Sequence, residues 1–310
     1  MVKTVVAGAI NWDVNLFVHH FPRKGEEVVV RQITRVPGGK AGNVAVGTAR
    51  ILGPNQACIL GAVGKDYVGS EQTRIFKEEG VDVTGLKIAE TVESGHAYIV
   101  IEENGENIIH TYPGANTSIT PADLDDPVRQ QLVAGSSVVT IMDPPLETSL
   151  KLARDARRLG KIIAWDPGVK SRMGADSFKR LLEFVDYLFV NESEMEHLTG
   201  TKSRRSAVRT LMKINKKLKV VAKLGSRGSI LYSGREKIVS PALDLKSLGL
   251  RVVNTVGCGD AFLGAFAAAL VEGRTDSEAL KWGNCAGGLN ATRRETRGGP
   301  DKRTLLSYVH

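Results

Sequence analysis

The chain has 310 residues, of which 42% are hydrophobic and 25% charged, a composition that indicates a globular rather than a disordered protein. Its formal net charge of +8 fits either nucleic acid or a phosphorylated small molecule as partner. The three cysteines have no paired spacing, which argues against a disulfide framework or a zinc site. The longest apolar run, residues 261–271, is too short for a bilayer, and the N-terminus lacks signal-peptide features, so we expect a cytoplasmic protein without membrane partners.

Apolar segments alternate with helix-like segments along most of the chain. The pattern predicts strands at 2–9, 58–63, 138–142, 162–165, 187–190, 220–224 and 229–232, and helices at 43–52, 70–79, 146–159, 178–184, 192–198, 261–272 and 276–291. Strands that are apolar throughout and separated by helices are typical of a parallel sheet covered on both faces. We therefore predict an α/β fold with a mostly parallel central sheet.

Two segments, 14–36 and 91–111, break this pattern because they alternate apolar and polar residues and contain no good helix. Within the second, two β-rich runs flank the sequence ENGE at 103–106, which predicts a hairpin. We interpret both segments as a small antiparallel sheet that projects over a ligand crevice as a lid. The predicted division is a large domain of residues 1–12, 37–90 and 113–310 and a lid of residues 13–36 and 91–112.

A basic stretch lies between Lys202 and Lys219, where eight Lys and Arg residues occur without an acid. Apolar residues recur in it at helical spacing, which predicts an amphipathic surface helix. No aromatic interleaving and no nucleic-acid-binding motif accompanies the charge. We therefore interpret the stretch as a solvated helix face and predict no nucleic-acid partner.

The sequence VVNTVGCGDAFLGAFAAALVEG at 252–273 predicts a strand end, a glycine-flanked turn and a helix that begins near Asp260. The first N–H groups of a helix have no intrahelical partner and carry partial positive charge, so the turn Gly257-Cys258-Gly259 could hold an anion. The same charge favours the ionised form of Asp260. A carboxylate base beside an anion-binding turn suits phosphoryl transfer to a hydroxyl, although a plain helix cap would have the same pattern.

Four stretches of the chain each resemble a signature of the ribokinase/PfkB family of sugar and nucleoside kinases. They occur in the same order as those signatures. They are PGGKAGNVAVGTARILG at 37–53, VNESEMEHLTG at 190–200, AKLGSRGSILY at 222–232 and NTVGCGDAFLGAFA at 254–267. The resemblance spans essentially the whole chain and implies a ribokinase-like fold with a small β-sheet lid. It also implies a kinase that moves the terminal phosphoryl of ATP or ADP to a hydroxyl of a ribose-type substrate: a nucleoside, ribose or a ribose phosphate.

The same resemblance implies roles for individual residues. Asp260 would be the catalytic base, and the backbone of Gly257, Cys258 and Gly259 would be the anion hole. The sugar would contact Asp13, Gly38, Gly39, Lys40, Asn43 and Asp143. The nucleotide would contact Asn191, Lys223, Gly225, Arg227, Gly228 and Asn284, and Glu194 would act through water on Mg²⁺. Asp166, Lys170 and Arg172, which follow a predicted strand, are weaker candidates for contacts to phosphates or a charged substrate.

One position departs from the family pattern: Asn254 stands where ribokinases usually have an Asp that belongs to a monovalent-cation site. Because Asn carries no charge, the sequence does not predict a bound monovalent cation. Lids of this family often pair, which implies a homodimer through the lid. For a nucleoside acceptor, Trp12, Phe17 and Tyr98 would line the base pocket.

Two alternative functions remain open at this stage. The first is a sugar-phosphate kinase of the phosphofructokinase type. The second is a nicotinamide-dependent oxidoreductase, which the lack of a G-x-G-x-x-G fingerprint after the first strand disfavours. The absence of a G-x-x-x-x-G-K-[ST] sequence excludes a P-loop enzyme.

Overall fold

A computed structural model describes residues 1–309 and contains two β-sheets with helices around the larger one. The strands are β1 Thr4–Gly8, β2 Asn11–Phe17, β3 Gln32–Gly38, β4 Ala57–Gly64, β5 Leu86–Ala89, β6 Gly95–Ile101, β7 Asn107–Tyr112, β8 Val138–Met142, β9 Ile162–Trp165, β10 Tyr187–Asn191, β11 Lys219–Lys223, β12 Ser229–Ser233 and β13 Glu236–Ser240. The α-helices are α1 Lys40–Leu52, α2 Tyr67–Glu78, α3 Pro127–Gly135, α4 Leu146–Arg158, α5 Lys179–Leu182, α6 Glu192–Thr199, α7 Arg204–Ile214, α8 Cys258–Val271, α9 Asp276–Ala291 and α10 Lys302–Tyr308.

The large sheet has nine strands in the order β13-β12-β11-β10-β9-β8-β1-β4-β5. Every neighbouring pair from β11 to β5 is parallel, and β12 and β13 are antiparallel additions at one edge. Strands β1 and β8 are buried at every residue, because helices cover both faces of the sheet. The prediction of a mostly parallel α/β sheet is therefore confirmed.

Each face of the large sheet has its own apolar core, because successive side chains of a strand point to opposite faces. Val5 and Ala7 pack on one face with α4, α6 and α7, whereas Val6 packs on the other with α1, α8 and α9. Helix α8 is apolar around its circumference because it lies between α1 and α9. Over residues 1–309, no helix is both long enough and apolar enough to cross a membrane.

The small sheet has four strands in the order β3-β2-β6-β7. Strands β6 and β7 form the predicted hairpin, and Gly105 in its turn has a φ of 87°. The expectation of an antiparallel sheet is wrong at its centre, because β2 runs parallel to β6, with Asp13 beside Ala97. Parallel strands need a long crossover connection, and here the chain from β3 to β5 provides it between β2 and β6. The domain limits given above stay a prediction.

The prediction of a strand that ends at Val252 and Val253 is wrong. Residues 250–256 form no strand in the described chain, and the two valines are 60% and 48% exposed. The backbone N–H groups of Val253 and Asn254 instead both donate to the carbonyl oxygen of Ala291, at the end of α9. The helix that follows begins at Cys258, slightly earlier than predicted.

The basic stretch is only partly helical. Helix α7 covers Arg204–Ile214, whereas Lys219 opens strand β11. Lys219 forms an ion pair with Asp276 at 2.7 Å and is therefore not part of a free basic face.

Candidate active site

The predicted site residues converge at one edge of the large sheet. Asp143 follows β8, Asp166 follows β9, Asn191 ends β10 and Lys223 ends β11. Helix α8 begins at the same edge and carries Asp260 in its first turn. In open parallel sheets, ligands bind outside the carboxyl ends of the strands. The fold thus gathers residues that are far apart in the chain into one cleft.

Asp260 is 8% exposed and bonded to helix α1. Asn43 Nδ2 donates to Asp260 Oδ2 at 2.8 Å. Burial raises the pKa of Asp260, and Lys40 and the hydrogen bond from Asn43 oppose this rise only in part. Burial thus opposes the helix dipole, which favours the ionised form of this carboxyl. A raised pKa makes the ionised group a stronger proton acceptor, which suits a general base near neutral pH.

The turn before α8 depends on a glycine. Gly257 is the N-cap and has a φ of 80°, and a Cβ there would lie 2.1 Å from the carbonyl oxygen of Thr296. Cys258 and Gly259 line the cleft, where the first N–H groups of α8 have no intrahelical acceptor. Burial raises the pKa of the Cys258 thiol, so it is not an activated nucleophile.

Asp13 brings the small sheet into the site. It is 8% exposed, and a Cβ at Gly38 would lie 2.2 Å from both of its carboxylate oxygens. Gly39, with a φ of 85°, passes so close to the backbone of Asn11 that a Cβ would lie 2.4 Å from its nitrogen. Burial raises the pKa of Asp13 to about 6, although the charge of Arg297 opposes the rise. Gly38 thus makes room for a buried acid beside the cleft, and Gly39 allows the loop to pass close to the backbone of Asn11.

Sequence analysis missed Arg297, which is 8% exposed. Its Nε donates to Asn43 Oδ1 at 3.1 Å and its Nη2 to the carbonyl oxygen of Gly38 at 3.0 Å. The residue lies in the sequence RRETRGG, where Arg293 and Arg294 are exposed. Nothing in that pattern distinguishes a buried arginine from its solvated neighbours.

Asp166 holds two of the predicted lysines together. Lys223 Nζ donates to Asp166 Oδ2 at 2.5 Å, and Lys40 Nζ lies 3.4 Å from Oδ1. Although burial acts in the opposite direction, Lys223 and Lys40 hold the pKa of Asp166 below its usual value. Because Lys40 begins α1 and Lys223 ends β11, this acid connects the predicted sugar side with the predicted nucleotide side.

Asp143 has an unusual backbone conformation, with a φ of 70°. Non-glycine residues at positive φ are uncommon and cluster at functional sites. Lys170 lies 3.5 Å from Asp143 Oδ1 and donates to the carbonyl oxygens of Asp143 and Pro144. Burial raises the pKa of Asp143, although Lys170 opposes the rise. Oδ1 is paired only with the charge of Lys170 and accepts no hydrogen bond from the described residues.

A pocket of about 690 Å³ adjoins Lys223 and the start of α8. Its polar lining includes the predicted loop Gly225, Arg227 and Gly228, and its apolar lining includes Leu243 and Phe262. Arg227 forms an exposed ion pair with Glu192. The combination of an apolar wall and a cationic mouth fits a nucleotide, with its base in the pocket and its phosphates toward α8.

Asn284 also lines this pocket, but its amide nitrogen is already used. Nδ2 donates to the carbonyl oxygens of Ser240 at 3.1 Å and Pro241 at 3.0 Å, which fixes the end of β13 against α9. Only its Oδ1 is left for a ligand.

The family model for pfkB family carbohydrate kinases matches residues 1–303. The chain belongs to the pfkB family of carbohydrate kinases. Like the other members, this kinase is a phosphotransferase that acts on a hydroxyl group. It is 28% identical over 309 residues to the ATP-dependent ribose-1-phosphate kinase of Halopiger xanaduensis, covering 100% of this chain and 98% of that protein. It is also 31% identical to the ribokinase of Lactococcus lactis, and the match covers 97% of this chain and 95% of that protein.

Solved structures agree with the family and the fold of this pfkB-family kinase. The ribokinase of Arabidopsis thaliana, complexed with ribose and ATP, superposes with a TM-score of 0.88 at 26% identity, covering 100% of this chain and 99% of that one. The ribokinase of Thermotoga maritima superposes with a TM-score of 0.86 at 26% identity, covering 99% of both chains. The ribokinase-like fold, with a large mostly parallel sheet and a smaller separate sheet, is therefore confirmed.

The family implies Mg²⁺, and Glu194 is its predicted contact. Asn191 and Glu194 cap α6 reciprocally: the Asn191 N–H donates to Glu194 Oε2 at 2.8 Å, and the Glu194 N–H donates to Asn191 Oδ1 at 2.8 Å. Burial and the nearby Asp166 raise the pKa of Glu194. Among residues 1–309, no three His, Cys, Asp or Glu side chains cluster as direct metal ligands. The donor set fits a Mg²⁺ held by phosphates and reached by the second Glu194 oxygen through water.

The loop around Asn254 does not fit a monovalent cation. Asn254 Nδ2 donates to the carbonyl oxygen of Arg294 at 2.9 Å, and its Oδ1 accepts from the N–H of Val256 at 3.0 Å. The amide nitrogen and the amide oxygen of Asn254 are therefore both hydrogen-bonded to the backbone, and the side chain carries no negative charge.

Proposed function

We propose that this kinase transfers the terminal phosphoryl group of ATP to a hydroxyl of a ribofuranose substrate, with Asp260 as the base. The observation that carries the proposal is that Asp260, the start of α8 and Asp13 share one cleft. Asp260 lies in the first turn of α8, and Asn43 links it to the glycine loop that borders Asp13. A proton acceptor, an anion-binding turn and a sugar contact are the parts that phosphoryl transfer to a sugar requires.

The mechanism follows from the placement of these groups. Asp13 and Asp143 accept hydrogen bonds from sugar hydroxyls and orient the ring, and Asp260 takes the proton of the attacking hydroxyl. The N–H groups of the turn at 257–259 stabilise charge that develops on the transferring phosphoryl oxygens. Lys40 and Lys223 bring positive charge to the same oxygens. Mg²⁺, when bound with the nucleotide, neutralises further phosphate charge.

The small sheet constrains the acceptor. Asp13 shares its sheet face with its register neighbours Val36 and Ala97. Strand alternation puts Trp12 and Tyr98 on the opposite face, so only Phe17 of the three predicted pocket rings shares the face of Asp13. The small apolar residues beside Asp13 favour a ribose ring over a nucleoside. This proposal also locates the activity in the cytoplasm, where ATP is available.

We infer that ribose 1-phosphate is the acceptor. The relative with that activity matches the whole chain, and the turn Gly168–Met173 brings Lys170 and the exposed Arg172 to the edge of the cleft. Free ribose is the second candidate, because Lys170 is already engaged by Asp143 and by two backbone carbonyls.

The experiment is a panel of acceptors assayed with ATP and with ADP in the presence of Mg²⁺. Ribose 1-phosphate, ribose, ribose 5-phosphate, fructose 6-phosphate and nucleosides are compared by kcat/KM. The highest value is expected for ribose 1-phosphate with ATP. A preference for a nucleoside or for fructose 6-phosphate would contradict the proposed acceptor, and no turnover with any ribose compound would contradict the proposed function.

We also propose a homodimer through the small sheet. The face opposite Asp13 exposes large apolar side chains, namely Ile33, Tyr98, Ile108 and Tyr112. Exposed apolar residues on a small sheet with free edges favour pairing with a second copy.

A further inference from the structure

The guanidinium of Arg297 contacts both halves of the proposed sugar site. It comes from the segment between α9 and α10, donates to Asn43 of α1 and also donates to the carbonyl oxygen of Gly38, which borders Asp13. On its other side it lies over the Phe76 ring, 5.0 Å from the centroid. One buried side chain therefore touches residues that belong to three separate segments of the chain.

We propose that Arg297 is a positioning residue for phosphoryl transfer, which turns the Asn43 amide toward Asp260 and, through its hydrogen bond to Gly38, places a positive charge beside Asp13. The proposal rests on the proposed function, because it takes Asp260 as the base and Asp13 as a sugar contact.

The first step concerns the orientation of the Asn43 amide. An arginine offers only hydrogen-bond donors, so the atom of Asn43 that faces Arg297 Nε must be Oδ1. The NH₂ group then faces the other way and donates to Asp260 Oδ2. In the reverse orientation, the amide oxygen would face the carboxylate and repel it. Arg297 thus fixes a hydrogen bond to the base without touching the base itself.

The second step concerns the charge of Asp13. Two charged groups act on it: Arg297, which lowers its pKa, and Asp260, which raises it. The charges that act on Arg297 are Asp13, Glu79, Arg50 and Asp260. Glu79 is already bound by Arg50 through two hydrogen bonds of 2.8 and 2.6 Å. Arg297 also donates to the carbonyl oxygen of Gly38, the residue that borders the Asp13 carboxylate, so its positive charge is held beside this acid.

A purely structural arginine would be expected to use all of its donors, because unpaired buried donors are costly. Arg297 Nη1 is buried and has no hydrogen-bond partner among the described residues. Burial lowers the pKa of Arg297 to about 10, which still leaves it charged at neutral pH. Its other nitrogens donate to Asn43, Gly38 and Gln72, so the guanidinium is fixed in place while Nη1 is left without a protein acceptor.

The test compares R297M, which removes both charge and hydrogen bonds, with R297K, which keeps the charge but loses the planar fork. The matched control is R251M, because Arg251 is exposed and has no place in the proposed site. Two quantities are measured: kcat with ATP and the best acceptor, and the titration of the Asp13 carboxyl by ¹³C NMR on Asp-labelled protein without ligands.

For R297M, we expect kcat to fall about tenfold, as for loss of one hydrogen bond to a charged group, and the Asp13 midpoint to move upward by about one pH unit. As pH falls, the acceptor KM then rises at a higher pH than in the wild type, because protonated Asp13 can no longer accept hydrogen bonds from two hydroxyls with both of its oxygens. For R297K, we expect kcat to stay low and the Asp13 titration to match the wild type. R251M should match the wild type in both.

The proposal is overturned if R297M matches R251M in kcat, and equally if it matches R251M in the Asp13 titration. Circular dichroism shows whether each variant folds. If R297M does not fold, R297K tests the proposal, and an unchanged kcat in R297K overturns it. Failure of the proposed function is a different result: the wild type then phosphorylates none of the panel. The Asp13 titration is still measurable in that case, and an unmoved midpoint in R297M would overturn the Arg297 assignment independently.

Discussion

At the scale of single residues, the central prediction concerns the base. D260N keeps the size of the side chain and its acceptor for Asn43 Nδ2, but it removes the group that takes the proton. We expect kcat to fall by about two to four orders of magnitude while ATP still binds. Initial rates and ATP titration by calorimetry measure the two effects. D176N is the matched control, because Asp176 is exposed.

A D260N enzyme with near-normal kcat would contradict the assignment of the base. The pH profile gives an independent check. Because burial raises the pKa of Asp260, the active ionised form is lost as pH falls through this raised value. In the wild type, kcat should therefore decline toward low pH with an apparent pKa above that of an ordinary aspartate. The kcat of D260N should not show this decline.

A second residue prediction concerns Asn254. In the wild type, its Nδ2 donates to the Arg294 carbonyl oxygen, so we expect no dependence of kcat/KM on potassium. N254D places a carboxylate against that carbonyl oxygen, and the repulsion is relieved by a bound cation. Activity of N254D should therefore rise with potassium, measured against tetramethylammonium chloride at constant ionic strength. Strong potassium activation of the wild type would contradict the role given to this amide.

The residues of the site differ in how well sequence predicts them. Asp260, Asn43 and Lys223 stand in motifs whose spacing is fixed, so sequence comparison finds them. Arg297 acquires its role only through burial against α1 and α2, which brings together residues more than two hundred positions apart, and no local pattern encodes that contact. The effect of burial on the pKa of Asp260 likewise depends on the packed fold and has no local signal in the sequence.

At the scale of elements, the start of α8 is the most sensitive point. Gly257 has a positive φ, and the Cβ of G257A would collide with the backbone carbonyl of Thr296. The turn would have to move, so we expect kcat to fall at least tenfold with a stability loss of about 1–3 kcal/mol. Steady-state kinetics and thermal melting measure both. G273A, at φ of 70° in the exposed turn after α8, controls for backbone strain away from the site.

If G257A and G273A lost activity equally, the turn before α8 would have no special role. Elements were predicted well where the apolar pattern is long, as in α8 and α9. The segment at 252–253 was mispredicted because two consecutive valines favour a strand, whereas here they lie on the surface beside the end of α9. The parallel pairing of β2 with β6 depends on a crossover of the chain, which local alternation does not reveal.

At the scale of the whole molecule, the proposed dimer can be tested separately from catalysis. Tyr98 and Ile108 lie on the face of the small sheet opposite Asp13, so charges there should oppose pairing without touching the sugar contacts. The double variant Y98K/I108K should sediment as a monomer where the wild type sediments as a dimer. Charges at two exposed apolar positions on the large domain, V169K/L306K, serve as the control. A monomeric wild type would contradict the proposed interface.

The strand order also has a consequence for synthesis of the chain. Strand β1 pairs with β8, so the first strand to leave the ribosome waits until about residue 142 for its second neighbour. From β9 to β13, by contrast, each strand pairs with the one made just before it. Arg297 follows almost at the end. A nascent chain or a C-terminal truncation that stops before residue 297 can therefore complete both sheets and still lack a finished sugar site.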